Sequence, residues 1–303
     1  MNKETRQLAI IGPTASGKSN LAVTIAKEWN ALILSLDSLS VYKEIDIVSA
    51  KPSLKEREDI PHYGIDTIYP DEPFDVTVFT KLYRTVFEKA RTENKNLIIV
   101  GGTGFYLKSL IDGISPLPPL NPSLIQNIQN EMSDMEQAYR MLTDLDAEYM
   151  KRIEKNDSYR IEKALGILLA TGERPSRYFE KNPPLPTIRE QLPLYRIVTD
   201  KGVLRDCIAK RTEQMLNDGL INEISYLERK YSRVPNCMKA IGIRETLDYL
   251  DGKYNKNTLI EKITANTARL AKRQTTFNKS QFEDLVSLDL ESLKKRIMED
   301  ILK

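Results

Sequence analysis

Histidine is almost missing from this chain of 303 residues: His62 is the only one, and Cys207 and Cys237 are the only cysteines. These scarcities exclude a disulfide-stapled scaffold, a zinc finger, a histidine-based catalytic triad and a histidine-rich metal centre. They fit a protein kept in the reducing cytoplasm. Long apolar runs are missing too. None approaches the ~18–20 residues of a membrane span. The opening stretch MNKETRQLAII has no apolar segment followed by small residues, so no secretory signal is expected. What is present is an ordinary globular balance, 41% hydrophobic and 29% charged, which excludes wholesale disorder. The length suggests about two domains.

The formal net charge is only +2, but it is unevenly spread. Residues 1–118 carry 14 Lys/Arg against 15 Asp/Glu, and residues 119–194 carry 10 against 12. Residues 195–280 carry 17 against 10, a net +7, and residues 281–303 carry 4 against 6. One basic segment in a near-neutral chain attracts a polyanion, or is simply a solvated helical face.

The short apolar runs LAIIG (8–12), ALILSLD (31–37) and LIIV (97–100) read as buried strands. Between them stand a helix over 17–28 and an amphipathic helix marked by Val76, Phe79, Tyr83, Phe87 and Ala90. A further helix starts near Thr103. Apolar strands alternating with helices predict a parallel sheet covered on both faces. The pattern breaks at SPLPPLNP (115–122), where four prolines in eight residues cannot sit inside a helix or a central strand. Helical periodicity then runs from 123 to 180, and a second proline cluster, NPPLPTIREQLP (182–193), closes it. YRIV (195–198) reads as a strand again, followed by helices over about 201–230, 240–250 and 257–280. A helical insert between two proline-rich hinges is expected, followed by helices that carry the basic charge.

The sharpest motif is Gly12-Pro13-Thr14-Ala15-Ser16-Gly17-Lys18-Ser19, which matches G-x-x-x-x-G-K-[ST] between a strand and a helix. Its glycines let backbone N–H groups wrap a phosphate, and the helix N-terminus adds positive potential. Lys18 reaches terminal phosphates, and the Ser19 hydroxyl suits Mg²⁺. The motif implies a di- or triphosphate ligand, not necessarily a nucleotide. No carboxylate follows LIIV, which runs into Gly101-Gly102-Thr103. An Asn-Lys-x-Asp guanine signature is absent.

Asp37 follows the second strand at the sheet's carboxyl edge, where ligands of open α/β sheets bind. It reads as a general base, a metal ligand or a cap of the next turn. Thr103 reads as a phosphate contact or a helix cap. Leu204, Ile208, Arg211 and Met215 share one helical stripe, so Arg211 needs an anion or a core carboxylate beside it. Arg269, Lys272, Arg273 and Lys279, with Gln274 and Phe277 between them, suit RNA phosphates and stacked bases, or a solvated face. Lys239 and Arg244, and Arg160 and Lys163 in the insert, extend that basic surface.

Taken in order, residues 12–19, Asp37-Ser38 with Val41-Tyr42, Ala50-Lys51-Pro52, Gly101-Gly102-Thr103, Ile241-Gly242 and Lys272-Arg273-Gln274 resemble the bacterial tRNA dimethylallyltransferase family, also called tRNA isopentenyltransferases. The resemblance runs from about residue 8 to 280. It implies an α/β fold, a P-loop NTPase-like parallel sheet core with an inserted all-helical domain. The expected division is 1–118 and 194–303 for the core and 119–193 for an insert that grips tRNA. It implies transfer of a dimethylallyl group from dimethylallyl diphosphate to N6 of the adenine just 3′ of a tRNA anticodon, with release of pyrophosphate. Asp37 would be the base. Thr103 and Arg211 would bind the diphosphate with residues 12–19, and Mg²⁺ would sit at Ser19. Asp37, Ser38, Leu39, Ser40, Thr103, Arg160, Lys163, Lys239, Arg244, Lys272, Arg273 and Gln274 would meet the tRNA anticodon stem-loop. A monomer needing no protein partner is the family expectation. The chain departs from the family at Ser40, where Gln is frequent, at Phe277, where Trp is usual, and at Val48, where Gly is usual. The competing enzymatic reading is a P-loop nucleoside or small-molecule kinase; a binding module would use the nucleotide only as a switch.

Overall fold

The computed structural model describes residues 5–303. The chain divides into two compact units, one formed by the chain up to Lys108 together with Ile188–Lys303, the other by Ser109–Thr187. The division falls earlier in the chain than the expected boundaries at 119 and 193. The first proline cluster therefore lies inside the second unit, where Pro122 opens a helix at a position that needs no N–H.

The first unit is built on six strands, β1 (Gln7–Ile11), β2 (Ala31–Ser35), β3 (His62–Tyr63), β4 (Asn96–Gly101), β5 (Leu194–Ile197) and β6 (Leu285–Leu288). They run in the order β3-β2-β4-β1-β5-β6, and every pair is parallel. Four early helices belong to this part of the chain: α1 (Lys18–Trp29), α2 (Leu54–Arg57), α3 (Val76–Thr92) and α4 (Gly104–Asp112), the last spanning the division between units. In the sheet, Leu8, Ile10, Ile33, Ile98, Tyr195 and Ile197 face one way. They bury against Leu21, Ile25 and Trp29 of α1 and against Leu293 and Ile297 near the C-terminus. Each such side chain is worth about 1.5–3 kcal/mol on full burial. On the other face α3 packs on β2 and β4 and buries Phe79, Tyr83 and Val86. Its first turn is capped by Asp75, which accepts from Thr77 N and Val78 N.

The second unit is helical: α5 (Pro122–Met132), α6 (Met135–Leu145), α7 (Ala147–Met150), α8 (Ser158–Thr171) and α9 (Pro175–Lys181). Its core gathers Ile128, Ala138, Leu142, Met150, Ile161 and Leu165.

After β5 come α10 (Lys201–Asn217), α11 (Leu220–Tyr231), α12 (Ile243–Leu250), α13 (Lys256–Gln281) and α14 (Leu290–Ile301). The helix expected over 201–230 is in fact two, parted at Gly219, whose φ of 103° is left-handed. Strands β3 and β6 and helix α14 stand where no element was expected. A second core joins Val41, Tyr42, Ile45 and Val48, in the chain following β2, to Leu216, Leu220, Ile224, Ile243, Leu247 and Ile263. This apolar seam brings α10 and α13 over the carboxyl edge of the sheet.

Candidate active site

Three loops leave the sheet at that edge, and backbone hydrogen bonds lock two of them, those after β2 and β4, to each other. The strand order sets β4 between β1 and β2, so the loops after these strands are neighbours. Leu36 N donates to Val100 O at 2.7 Å and Thr103 N to Leu36 O at 3.1 Å. Gly101 lies against Leu36 so closely that a Cβ there would stand 2.8 Å from a backbone carbon. This close approach is why glycine is required.

The phosphate loop has left-handed residues at Ala15 (φ 63°) and Gly17 (φ 85°), which turn successive N–H groups inward. Thr14 to Ser19 line a cleft of about 900 Å³. Gly12 and Pro13 do not line it. They shape the turn, and Pro13 O accepts from Lys18 Nζ at 2.5 Å. Lys18 is buried, and burial, reinforced by the positive charge of Arg211, lowers its pKa to about 8; the Asp37 carboxylate pulls the other way. Ser16 is buried with its hydroxyl unpartnered, and Ser19 is exposed.

Arg211 reaches the same place from α10. It donates from NH1 to Thr14 Oγ1 at 3.1 Å and from NH2 to Ala50 O at 3.2 Å. Among the described residues no carboxylate stands within ion-pair distance of it, so the core salt bridge weighed against an anion site is absent. Burial lowers its pKa, with Asp37 and Glu56 opposing. Two cations thus share one pocket with only neutral oxygens bonded to them, which is favourable once a polyanion arrives.

Asp37 is half-buried at the turn after β2. Its Oδ1 accepts from Leu39 N at 2.8 Å and Ser40 N at 3.0 Å. The cap is present, and it leaves the second oxygen uninvolved in the turn, so the cap does not exclude the chemical reading.

A second cavity of about 490 Å³ adjoins the first through shared lining residues. It is bordered by Ser38, Leu39, Thr103, Lys239, Arg244 and Arg273, while Thr14, Asp37, Ser49, Arg211, Met215 and Gln274 line both cavities. Thr103 borders the second cavity and not the first. Ser40 is buried, 3.4 Å from Ser35 Oγ, and lines only the first. Gln274 was expected at RNA. Its Oε1 accepts from Thr14 N at 2.9 Å, and it packs on Gly102, where a Cβ would come within 2.3 Å of its Nε2. Lys272 is exposed outside both cavities. Arg160 and Lys163 belong to α8 of the helical unit, beside Asp157 and Glu162. Sequence reasoning gave no role to Ser49 and Met215 at the shared wall; the Ala50-Lys51-Pro52 run was the available signal for that segment.

The family model for IPP transferases matches residues 40–281. The chain belongs to this family. It is 54% identical over 299 residues to the tRNA dimethylallyltransferase of Sulfurovum sp. strain NBC37-1, covering 99% of each chain. It is 41% identical to that of Helicobacter pylori strain 26695, over 96% of this chain and 93% of the relative. Among solved structures it resembles the full-length tRNA isopentenylpyrophosphate transferase of Bacillus halodurans, with a TM-score of 0.72, 27% identity, and coverage of 99% of this chain and 96% of that one. It also resembles a eukaryotic dimethylallyltransferase acting on tRNA, with a TM-score of 0.81, 25% identity, and coverage of 94% and 73%. As an IPP transferase family member it is a P-loop-like α/β protein; the kinase reading is not favoured. No helix among the described residues is long and apolar enough to cross a membrane.

Proposed function

We propose that this protein transfers a dimethylallyl group from dimethylallyl diphosphate to N6 of the adenine 3′ of the anticodon in tRNA, in the cytoplasm and as a monomer. Transfer to tRNA is the activity named for its relatives over nearly the whole chain. The observation that carries the detail is the shared wall: Asp37, Thr14 and Arg211 line both the phosphate-loop cleft and the second cavity. Two substrates, one in each cavity, would meet at those residues.

In this reading the diphosphate rests on the N–H groups of residues 15–19, with Lys18 and Arg211 bonding its oxygens, while the Thr14 N–H stays with Gln274. The tRNA backbone follows the basic side chains of α13 and of Lys239 and Arg244, and the extruded adenine enters the second cavity. Thr103 borders that cavity. Arg160 and Lys163 serve the insert's grip on the stem-loop. The bond from N6 to the allylic carbon forms as the carbon–oxygen bond to diphosphate breaks. The N6 proton passes to Asp37, and the electron pair leaves with pyrophosphate. Positive charge grows on the allylic carbon while negative charge grows on the leaving group, which Lys18, Arg211 and backbone dipoles stabilise. Water would have to be kept from the carbocation-like centre by the bound substrates themselves.

A divalent cation, Mg²⁺ in this reading, fits the donor set in one way. No cluster of three or more His, Cys, Asp or Glu residues stands together among the described residues, so Ser19 Oγ and the diphosphate's own oxygens would hold the ion, which neutralises leaving-group charge when bound.

The test is incubation with unmodified tRNA, Mg²⁺ and labelled dimethylallyl diphosphate. Label in RNA with stoichiometric pyrophosphate is the expected result. Consumption of ATP with unlabelled RNA would return the kinase reading.

A further inference from the structure

Between β2 and α2 the chain runs through residues 44–51 without helix or strand. Glu44 (φ 64°) and Ala50 (φ 48°), both left-handed, bracket it. Such a segment must find partners for its backbone N–H groups elsewhere. Three consecutive ones converge on a single side chain. Glu223, in the first turn of α11, accepts from Asp46 N at 3.2 Å and Ile47 N at 2.5 Å through Oε2, and from Val48 N at 3.2 Å through Oε1. Glu223 lines neither cavity and forms no ion pair among the described residues. Its half-buried carboxylate is committed to this segment.

What the segment carries gives the clamp its consequence. Val48 fits against Gly242, where a Cβ would lie 2.5 Å from its Cγ2. Ser49 lines both cavities. Ala50 O holds Arg211 NH2, and Arg211 NH1 holds Thr14 of the phosphate loop. At the other end Lys51 Nζ ties the segment to Tyr42 O at 2.6 Å, to Asp46 at 2.8 Å and to Asp66 at 2.6 Å. Arg211 therefore has two anchors, and one is a carbonyl whose position depends on the clamp.

We propose that Glu223 is a positioning residue for the diphosphate site: by clamping residues 46–48 it fixes Ala50 O, which aims the Arg211 guanidinium. This deepens the reading of the phosphate loop and Arg211 as the diphosphate cradle and rests on it. A side chain that only filled space would be replaced without loss by Gln, which has the same length. A side chain that must accept three N–H bonds is not, because Gln turns one oxygen into a donor facing donors.

The experiment is titration calorimetry of pyrophosphate with Mg²⁺ against wild-type protein, E223Q and E223A, with steady-state kinetics on the same preparations. Both variants should bind pyrophosphate roughly tenfold more weakly, what the loss of one charge-assisted hydrogen bond gives. KM for dimethylallyl diphosphate should rise by a similar factor, while KM for tRNA stays within about twofold; the thermal midpoint should fall modestly in E223A, which strands three N–H groups, and less in E223Q. Wild-type binding with undiminished affinity in E223Q overturns the proposal, as does a proportional loss of every parameter together with the thermal midpoint. Absence of pyrophosphate binding by the wild type would instead remove the cradle reading beneath it. If E223A fails to fold, E223Q alone decides.

Discussion

In the proposed reaction Asp37 would carry two duties, the turn on Oδ1 and the N6 proton on the other oxygen, and a substitution can separate them. Asn keeps an oxygen for Leu39 N and Ser40 N but cannot take a proton from an amine. Asp37→Asn should therefore lower kcat by about 10²–10⁴-fold, the usual contribution of a general base, with tRNA affinity little changed in filter binding. Turnover near wild type would remove the base. Lys18 sets a pH signature. Its pKa in the fold is lowered to about 8 by burial, and only the ammonium form binds diphosphate well. Affinity for pyrophosphate should fall as pH rises through about 8, and Lys18→Met should flatten that dependence. For stability the sign is the reverse. The folded protein binds fewer protons at this site than the unfolded chain between about 8 and the ordinary 10.5. Stability of the ligand-free protein therefore gains from this group as pH climbs through that window. Denaturant unfolding at several pH values, with and without pyrophosphate, measures it.

At the level of elements, the loop after β4 is under tight steric control. Gly101→Ala pushes a methyl group into the Leu36 backbone, which cannot yield, so a loss of about 1–3 kcal/mol in urea unfolding is expected. Gly102→Ala meets the end of a flexible Gln274 side chain instead. It should cost less stability but detach Gln274 from Thr14 N, raising KM for dimethylallyl diphosphate more than it lowers the unfolding midpoint. These contrasts also mark what could be read from the residues alone. The phosphate loop, the buried strands and the long helices announce themselves because glycine spacing and apolar periodicity are local. The Arg211 stripe called for an anion or a core carboxylate because its neighbours on the helix are apolar, and only the position of distant carboxylates, which no local pattern gives, removes the second. His62–Tyr63 is too short to show a period, and the half-buried LVSL of β6 is no more apolar than many loops. The contact of Gln274 with Thr14 spans 260 positions of sequence, and no local pattern encodes it. Its helix read as an RNA face or a solvated face, and Lys272 and Arg273 on it are exposed, as either reading requires.

Over the whole molecule the net +7 of residues 195–280 is the electrostatic signature. Affinity for tRNA should fall steeply with salt, and replacing both Lys272 and Arg273 by Glu should reduce the slope of log K against log salt by roughly 0.9 for each phosphate that is no longer neutralised. An unchanged slope would take those two side chains off the RNA path. In α13, Arg273 borders the second cavity and its neighbour Gln274 holds the phosphate loop, so adjacent residues of one stiff rod touch both halves of the site. A nucleic acid that shifts this rod by a fraction of an ångström also retunes the anion cradle. Linkage then makes the effect mutual: the factor by which RNA alters pyrophosphate affinity must equal the factor by which pyrophosphate alters RNA affinity. Gln274→Ala, by cutting the tie to Thr14, should bring both factors towards one.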